Sequence, residues 1–215
     1  DAIAFARIGE GSLGGKARGL AFMNSMLVKY CQYAKYENVR VTIPRTVVVA
    51  TDYFDAFIRN NGLEYVLTTE MTDEEILSEF VSSTLPYKLR EALKAYVRTV
   101  SGPLAVRSSS KLEDSHYQPF AGIYSTYMIP YTEGNEDRQL RLLQKAIKSV
   151  YASTYFAASK AYVQSSQNLI AEEKMAVVIQ EVCGTEQDGL FFPTLSGVAR
   201  SINYYPIGDE TPEEG

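Results

Sequence analysis

The sequence predicts a mixed α+β fold in which helical insertions of unequal length separate the strands. Three short runs carry the strand half of that expectation: Thr46-Val47-Val48-Val49, Leu104-Ala105-Val106 and Met175-Ala176-Val177-Val178-Ile179. Each has the length and the apolar, largely β-branched make-up of a buried strand. Between them apolar residues recur every three or four positions, the period of a helix with one buried face. Phe54, Phe57, Ile76, Phe80, Leu89 and Leu93 fall on such faces and read as core.

Taken in order, residues 1–8 are a short apolar lead into Gly9-Glu10-Gly11-Ser12-Leu13-Gly14-Gly15-Lys16. Its glycines allow the backbone to bend closely around an anion, and a helix expected from Ala17 to about Tyr36 would turn its free amides toward the loop, with Lys16 facing the same spot. Gly9, Gly11 and Gly14 fit the dinucleotide pattern G-x-G-x-x-G, yet the next strand candidate, Val39 to Ile43, ends at Pro44 rather than at an acidic residue. A Walker A loop needs glycine where Glu10 stands and a hydroxyl where Ala17 stands, and a kinase glycine loop needs valine where Lys16 stands. A glycine loop, a lysine and a helix start survive this test, and a plain turn before a helix accounts for them equally well.

After the strand at Thr46, Thr51 is expected to cap a helix to about Asn60. Thr72-Asp73-Glu74-Glu75 has the capping-box form for a helix to about Val81, and Pro86 suits the first turn of one reaching about Val100. The strand at Leu104 leads into Arg107-Ser108-Ser109-Ser110-Lys111-Leu112-Glu113-Asp114, a loop dense in hydroxyls and charge. An arginine leaving a buried strand presents a fixed fork of donors, suited to the oxygens of a polyphosphate. A surface ion pair with Glu113 or Asp114 is its other reading. Ile123 to Ile129 alternates as a strand, and Asn135 opens an amphipathic helix expected to run to about Val163, with Leu140, Leu143, Ile147, Val150 and Tyr151 as its apolar stripe. The strand at Met175 passes into Gln180-Glu181-Val182, a loop rich in glycine and acid follows, and Gly197 to Tyr205 suits a last strand.

With 46% hydrophobic and 22% charged residues the 215-residue chain has ample material for a core. A net charge of −5 and a pI near 5.1 argue against general nucleic-acid binding, which needs a basic face. No run approaches membrane-spanning length and the start lacks the order of a signal peptide, which makes the cytoplasm the expected compartment. Cys31 and Cys183 read as free buried thiols rather than a disulfide or a metal pair, and the single histidine, His116, as a solvated loop residue that excludes a multi-histidine metal site. The abrupt start at Asp1 and the acidic tail to Gly215 read as the ends of a segment of something longer.

Five blocks in register then resemble the N-terminal ATP-binding domain of the pyruvate phosphate dikinase and phosphoenolpyruvate synthase family. They are Gly14-Gly15-Lys16, Val106-Arg107-Ser108-Ser109 with Glu113-Asp114, Phe120-Ala121-Gly122, Met175 to Glu181, and Ser196-Gly197-Val198-Ala199. The resemblance covers nearly the whole chain. It implies an ATP-grasp-like nucleotide-binding fold, a mixed sheet with helical insertions: a first lobe over residues 1–170 and the start of a second, incomplete at its C-terminus, over residues 171–215. It further implies ATP held by Lys16, Arg107, Gly122 and Thr126, with Gln180, Glu181 and Val182 at the adenine, and catalytic roles for Lys16 and Arg107. Mg2+ is implied with its acidic ligands beyond this chain, so no residue is assigned to metal. The implied partners are a phosphohistidine carrier domain and a pyruvate- or phosphoenolpyruvate-binding domain of the same longer protein, the fragment alone being inactive.

Some positions depart from the family pattern: Ala17 follows the loop lysine, Ser109-Ser110-Lys111 follows the arginine, and Ile123-Tyr124 follows the strand glycine. These departures motivate a second expectation, a non-catalytic nucleotide sensor or protein-interaction module on the same fold. Ser108 to Lys111 also spells the S-x-x-K acyl-transferase signature, whose companion motifs are absent.

Overall fold

The computed structural model describes residues 4–30, 37–110, 124–165, 174–198, 202, 211 and 213. It divides into two units, Asp1–Val182 and Cys183–Gly215.

The larger unit is built on one mixed sheet. β1 (Phe5–Ile8), β2 (Thr46–Val49), β3 (Leu104–Ser109), β4 (Thr126–Ile129) and β5 (Ala176–Glu181) lie in the order β1-β2-β5-β3-β4. Only the β1–β2 pair is parallel. The expected strands at Thr46, Leu104 and Met175 are its three inner members, with β5, the last in sequence, paired to both of the others. The expected lobe boundary at residue 170 precedes this strand, whereas the first unit continues to Val182.

The helices are α1 (Gly14–Lys29), α2 (Thr51–Asn61), α3 (Asp73–Ser82), α4 (Tyr87–Val97), α5 (Glu136–Ser153) and α6 (Ala157–Ser165), with a 3-10 turn at Leu63–Leu67. The capping box forms as expected: the Glu75 amide donates to Thr72 Oγ1 at 3.2 Å and the Thr72 amide donates to Glu75 Oε2 at 2.8 Å. Four expectations are corrected. α1 begins at Gly14 rather than Ala17, because the amides of Gly15 and Ala17 find acceptors in Ser110 O and Ser109 Oγ at 3.0 and 3.1 Å. Thr51 is the first residue of α2 rather than its cap, which is Ala50, and its hydroxyl serves the glycine loop instead. The run after Val39 forms no ladder from Arg40 to Arg45, and both Val39 and Val41 are exposed.

The fourth correction concerns the long helix expected from Asn135 to Val163, which is two helices. Over Thr154 to Phe156 the amides turn to carbonyls three residues back, tightening the chain, and the Ala157 amide is received at 2.8 Å by Asp73 Oδ1 from the start of α3. The expected strand at Gly197 falls mostly outside the described residues, and Gly197 and Val198 are not in a strand.

Register and the alternation of side chains assign the two faces of the sheet. Leu104 and Val106, with their partners Ile129, Tyr127 and Ile179, share one face with Val49 and Val177. Most of these join the buried apolar cluster formed with α2 to α5, where Phe54 meets Tyr151 edge-on at 5.1 Å and Phe57 lies 5.7 Å from Phe80. The opposite face carries Val48, Ala176 and Val178, and α1 covers these through Ala17 and Leu20. That face continues past α1 along Ala105, Arg107, Thr126, Met128 and Gln180.

In the smaller unit Cys183 is a free thiol but exposed rather than buried as expected, and β6 (Thr185–Gln187) and β7 (Leu190–Phe192) form a hairpin, absent from the sequence expectations although Asp188-Gly189 announces it. Asp188 has φ 51 and Gly189 φ 78, the positive pair that a two-residue hairpin turn requires.

Candidate nucleotide-binding site

The glycine loop sits against the start of α2 and the end of β3, and the amides of Glu10, Gly11, Ser12, Gly14 and Gly15 are already occupied. Glu10 N donates to Asp52 Oδ2 and Gly11 N to Asp52 Oδ1, both at 3.1 Å. Ser12 N donates to Thr51 Oγ1 at 2.9 Å, while Thr51 N returns a bond to Ser12 O at 3.0 Å. Gly14 N is 3.3 Å from Ser12 Oγ. The expectation of loop and helix amides turned toward an external anion is therefore corrected: these donors face a carboxylate, hydroxyls and a carbonyl of the chain itself.

Ser109 explains why α1 starts where it does. Its fully buried hydroxyl donates to Leu13 O at 2.8 Å and accepts from Ala17 N, so β3 holds the first turn of the helix in place of a local cap. Gly14 allows this approach. With φ at +70°, a Cβ on Gly14 would stand 1.9 Å from Ser109 O.

Lys16, in the first turn of α1, reaches β3. Its Nζ donates to Ser108 O at 3.1 Å and to Ser108 Oγ at 3.2 Å, next to Arg107 in the chain. Arg107 is half-buried on β3, in register with Thr126 of β4 on one side and Val178 of β5 on the other. Lys16 therefore reaches the strand neighbour of Arg107, and Arg107 is paired with Thr126. Their types suit an anion: a point charge, a planar fork of donors and an exposed hydroxyl. Gly122, with Glu113, Asp114 and His116, lies outside the described residues.

Gln180, next to last in β5, lies on the same face as Arg107, in register with Ala105, and its Nε2 donates to Thr46 Oγ1 at 3.2 Å. Glu181 alternates to the other face. Its Oε1 lies 3.1 Å from Arg45 Nη1, an ion pair without hydrogen-bond alignment, and Arg45 Nη1 also donates to Thr99 O at 3.2 Å. Burial, with the nearby Glu181 carboxylate adding to it and Arg45 opposing, pushes the Tyr96 hydroxyl beside this pair well above the ordinary tyrosine range. The amides of Glu181 and Val182 donate to Arg45 O at 3.0 Å and Pro103 O at 2.9 Å. An adenine at this hinge is therefore not met by those two N–H groups in this conformation.

Asp52 and Arg45 escaped the sequence reading, which has Thr51 only as a helix cap. An acid in a first helical turn signals a helix start, and nothing local announces that Asp52 receives amides from residues more than forty positions away. Among the described residues no group of three or more His, Cys, Asp or Glu comes together. Nor is any described helix long and apolar enough to cross a membrane.

A mixed α/β domain built on a mixed sheet is consistent with a nucleotide-binding domain. The chain belongs to the family of the pyruvate phosphate dikinase AMP/ATP-binding domain, whose model matches residues 10–215. It is 31% identical over 157 residues to an uncharacterized phosphotransferase, YvkC, of Bacillus subtilis, covering 70% of this chain and 17% of that relative. It is 29% identical over 202 residues to a phosphoenolpyruvate synthase of Aeropyrum pernix, covering 84% of this chain and 22% of that relative. The chain thus spans about a fifth of the length of the curated relatives it matches.

Proposed function

We propose that this chain forms the greater part of an ATP-grasp nucleotide site in a longer phosphotransferase, which moves phosphate from ATP to a histidine on a separate carrier domain. The observation that carries this reading is that Lys16 is held on Ser108, the strand neighbour of Arg107, while Arg107 and Thr126 are paired in register on the sheet. Lys16 neutralises phosphate charge, and Arg107 grips phosphate oxygens and stabilises charge that builds as the phosphoryl group leaves. Gly122 lets the backbone approach the ligand, Thr126 adds a hydroxyl, and Gln180, Glu181 and Val182 line the adenine. Residues 1–170 form the first lobe and residues 171–215 begin the second. A pyruvate- or phosphoenolpyruvate-binding domain completes the reaction, and this portion alone does not catalyse it.

Calorimetric titration with MgATP tests the site. Saturable binding that falls in both Arg107→Ala and Lys16→Ala is the expected result. Equal affinity in wild type and both variants overturns the residue assignment.

The occupied loop amides support a second reading, a non-catalytic nucleotide sensor on the same fold. It predicts MgATP binding with no phosphorylation of an added carrier domain, whereas the first reading predicts a phosphohistidine, detectable by its acid lability.

A further inference from the structure

A carboxylate of the protein lies where a glycine loop would hold an anion. Asp52 receives the amides of Glu10 and Gly11, one on each oxygen, at 3.1 Å. Two adjacent amides converging on one anionic group is the arrangement by which backbone nests hold phosphate. The fit is close on both sides. A Cβ on Gly9 would stand 2.5 Å from Asp52 Oδ1, and one on Gly11 would stand 2.5 Å from Asp52 N and 2.6 Å from Thr51 Oγ1. Thr51 continues the latch by exchanging bonds with Ser12. Asp52 stands in the first turn of α2, where the helix dipole favours a negative charge.

We propose that Asp52 is a positioning residue for phosphate recognition: as an internal anion it pre-shapes the glycine loop that leads to Lys16. The loop amides of Glu10 and Gly11 then do not contact the ligand, and recognition of phosphate falls to Lys16 and Arg107. This inference rests on the nucleotide reading above. The latch leads directly to Lys16. From the bonds at Glu10, Gly11 and Ser12 the chain has only Leu13 to Gly15 before the lysine, and Leu13 and Gly15 are themselves bonded to Ser109 and Ser110. Once Asp52 releases the loop, Leu13, Gly15 and Lys16 keep their bonds to Ser109, Ser110 and Ser108 but lose the fixed turn at Glu10 and Gly11 that precedes them.

Two measurements on the full chain test the proposal. In the ligand-free protein, Asp52→Ala should speed amide hydrogen exchange at Glu10 and Gly11 at least tenfold while leaving β3 unchanged, with Asp52→Asn, which keeps one acceptor oxygen, in between. In titrations, Asp52→Ala should weaken MgATP about tenfold and leave adenosine, which has no phosphate, unchanged, a split that general loosening of the fold does not produce. Unchanged exchange, equal weakening of ATP and adenosine, or ATP binding as tight as in wild type overturns the proposal. Absence of MgATP binding by the wild-type chain overturns the nucleotide reading and the positioning role with it, and the exchange data then decide only whether Asp52 pins the loop.

Discussion

The two faces of the sheet show how one strand can hold the fold together and present chemistry. On β3, Leu104 and Val106 are fully buried against the helical layer, while Arg107, one residue on, emerges half-buried beside an exposed Thr126. The packed face tolerates no loss of volume, and its apolar residues fix the register of the whole strand. That register brings Arg107 opposite Thr126. The open face is thus positioned by the closed one.

This contrast can be broken most severely from the closed side. Phe57 is fully buried between Phe80 and Tyr151, and Phe57→Ala should cost about 3–5 kcal/mol, read as a fall in the urea midpoint. Gly14→Ala comes next. Its Cβ meets the Ser109 carbonyl, a backbone group that cannot swing aside, so the chain should lose about 3 kcal/mol and α1 should detach from β3. On the open side, Arg107→Ala should leave the midpoint within about 0.5 kcal/mol, as a half-exposed residue away from the core does. MgATP affinity should fall roughly thirtyfold in the same variant, about 2 kcal/mol, through loss of charged hydrogen bonds. A large loss of stability in Arg107→Ala would dissolve the distinction between the faces.

Two smaller tests sharpen it. Thr72→Ala, which removes the capping box of α3, should cost about 1 kcal/mol. Tyr151→Phe should do little near neutrality and more in alkali. Burial foremost, then the negative charges of Asp52 and Asp55, holds the Tyr151 hydroxyl protonated above the ordinary value of 10.0. The unfolded chain releases that proton first, so the associated stability is complete below pH 10.0 and drains away as pH rises beyond it. Phenylalanine has no proton to lose, and the variant should show a shallower alkaline decline in urea midpoint than wild type.

The same contrast explains what was legible in the sequence. The inner strands, the helical faces and the Thr72–Glu75 box are written in local composition and spacing, because burial and capping act within a few residues. Lys16 and Arg107 stood out by charge and placement. Asp52 did not: its role depends on a loop distant in sequence, and in its own segment it is an ordinary helix-start acid. Likewise nothing in the composition of Thr154-Tyr155-Phe156 breaks a helix. The break comes with tight turns onto preceding carbonyls and a distant carboxylate at Ala157. The Asp188-Gly189 turn was visible by its residue types, but the brevity of the flanking strands hid it.

The bond from Ala157 to Asp73 also bears on the order of assembly. Its ends are 84 residues apart, and the chain between them forms α4, β3, β4 and α5. Drawing so long a loop closed is entropically costly until those elements have collapsed together. The start of α6 is therefore tied to an anchor that arrives only once the domain has condensed, which places its docking late in folding and makes it an early point of opening when the protein unfolds.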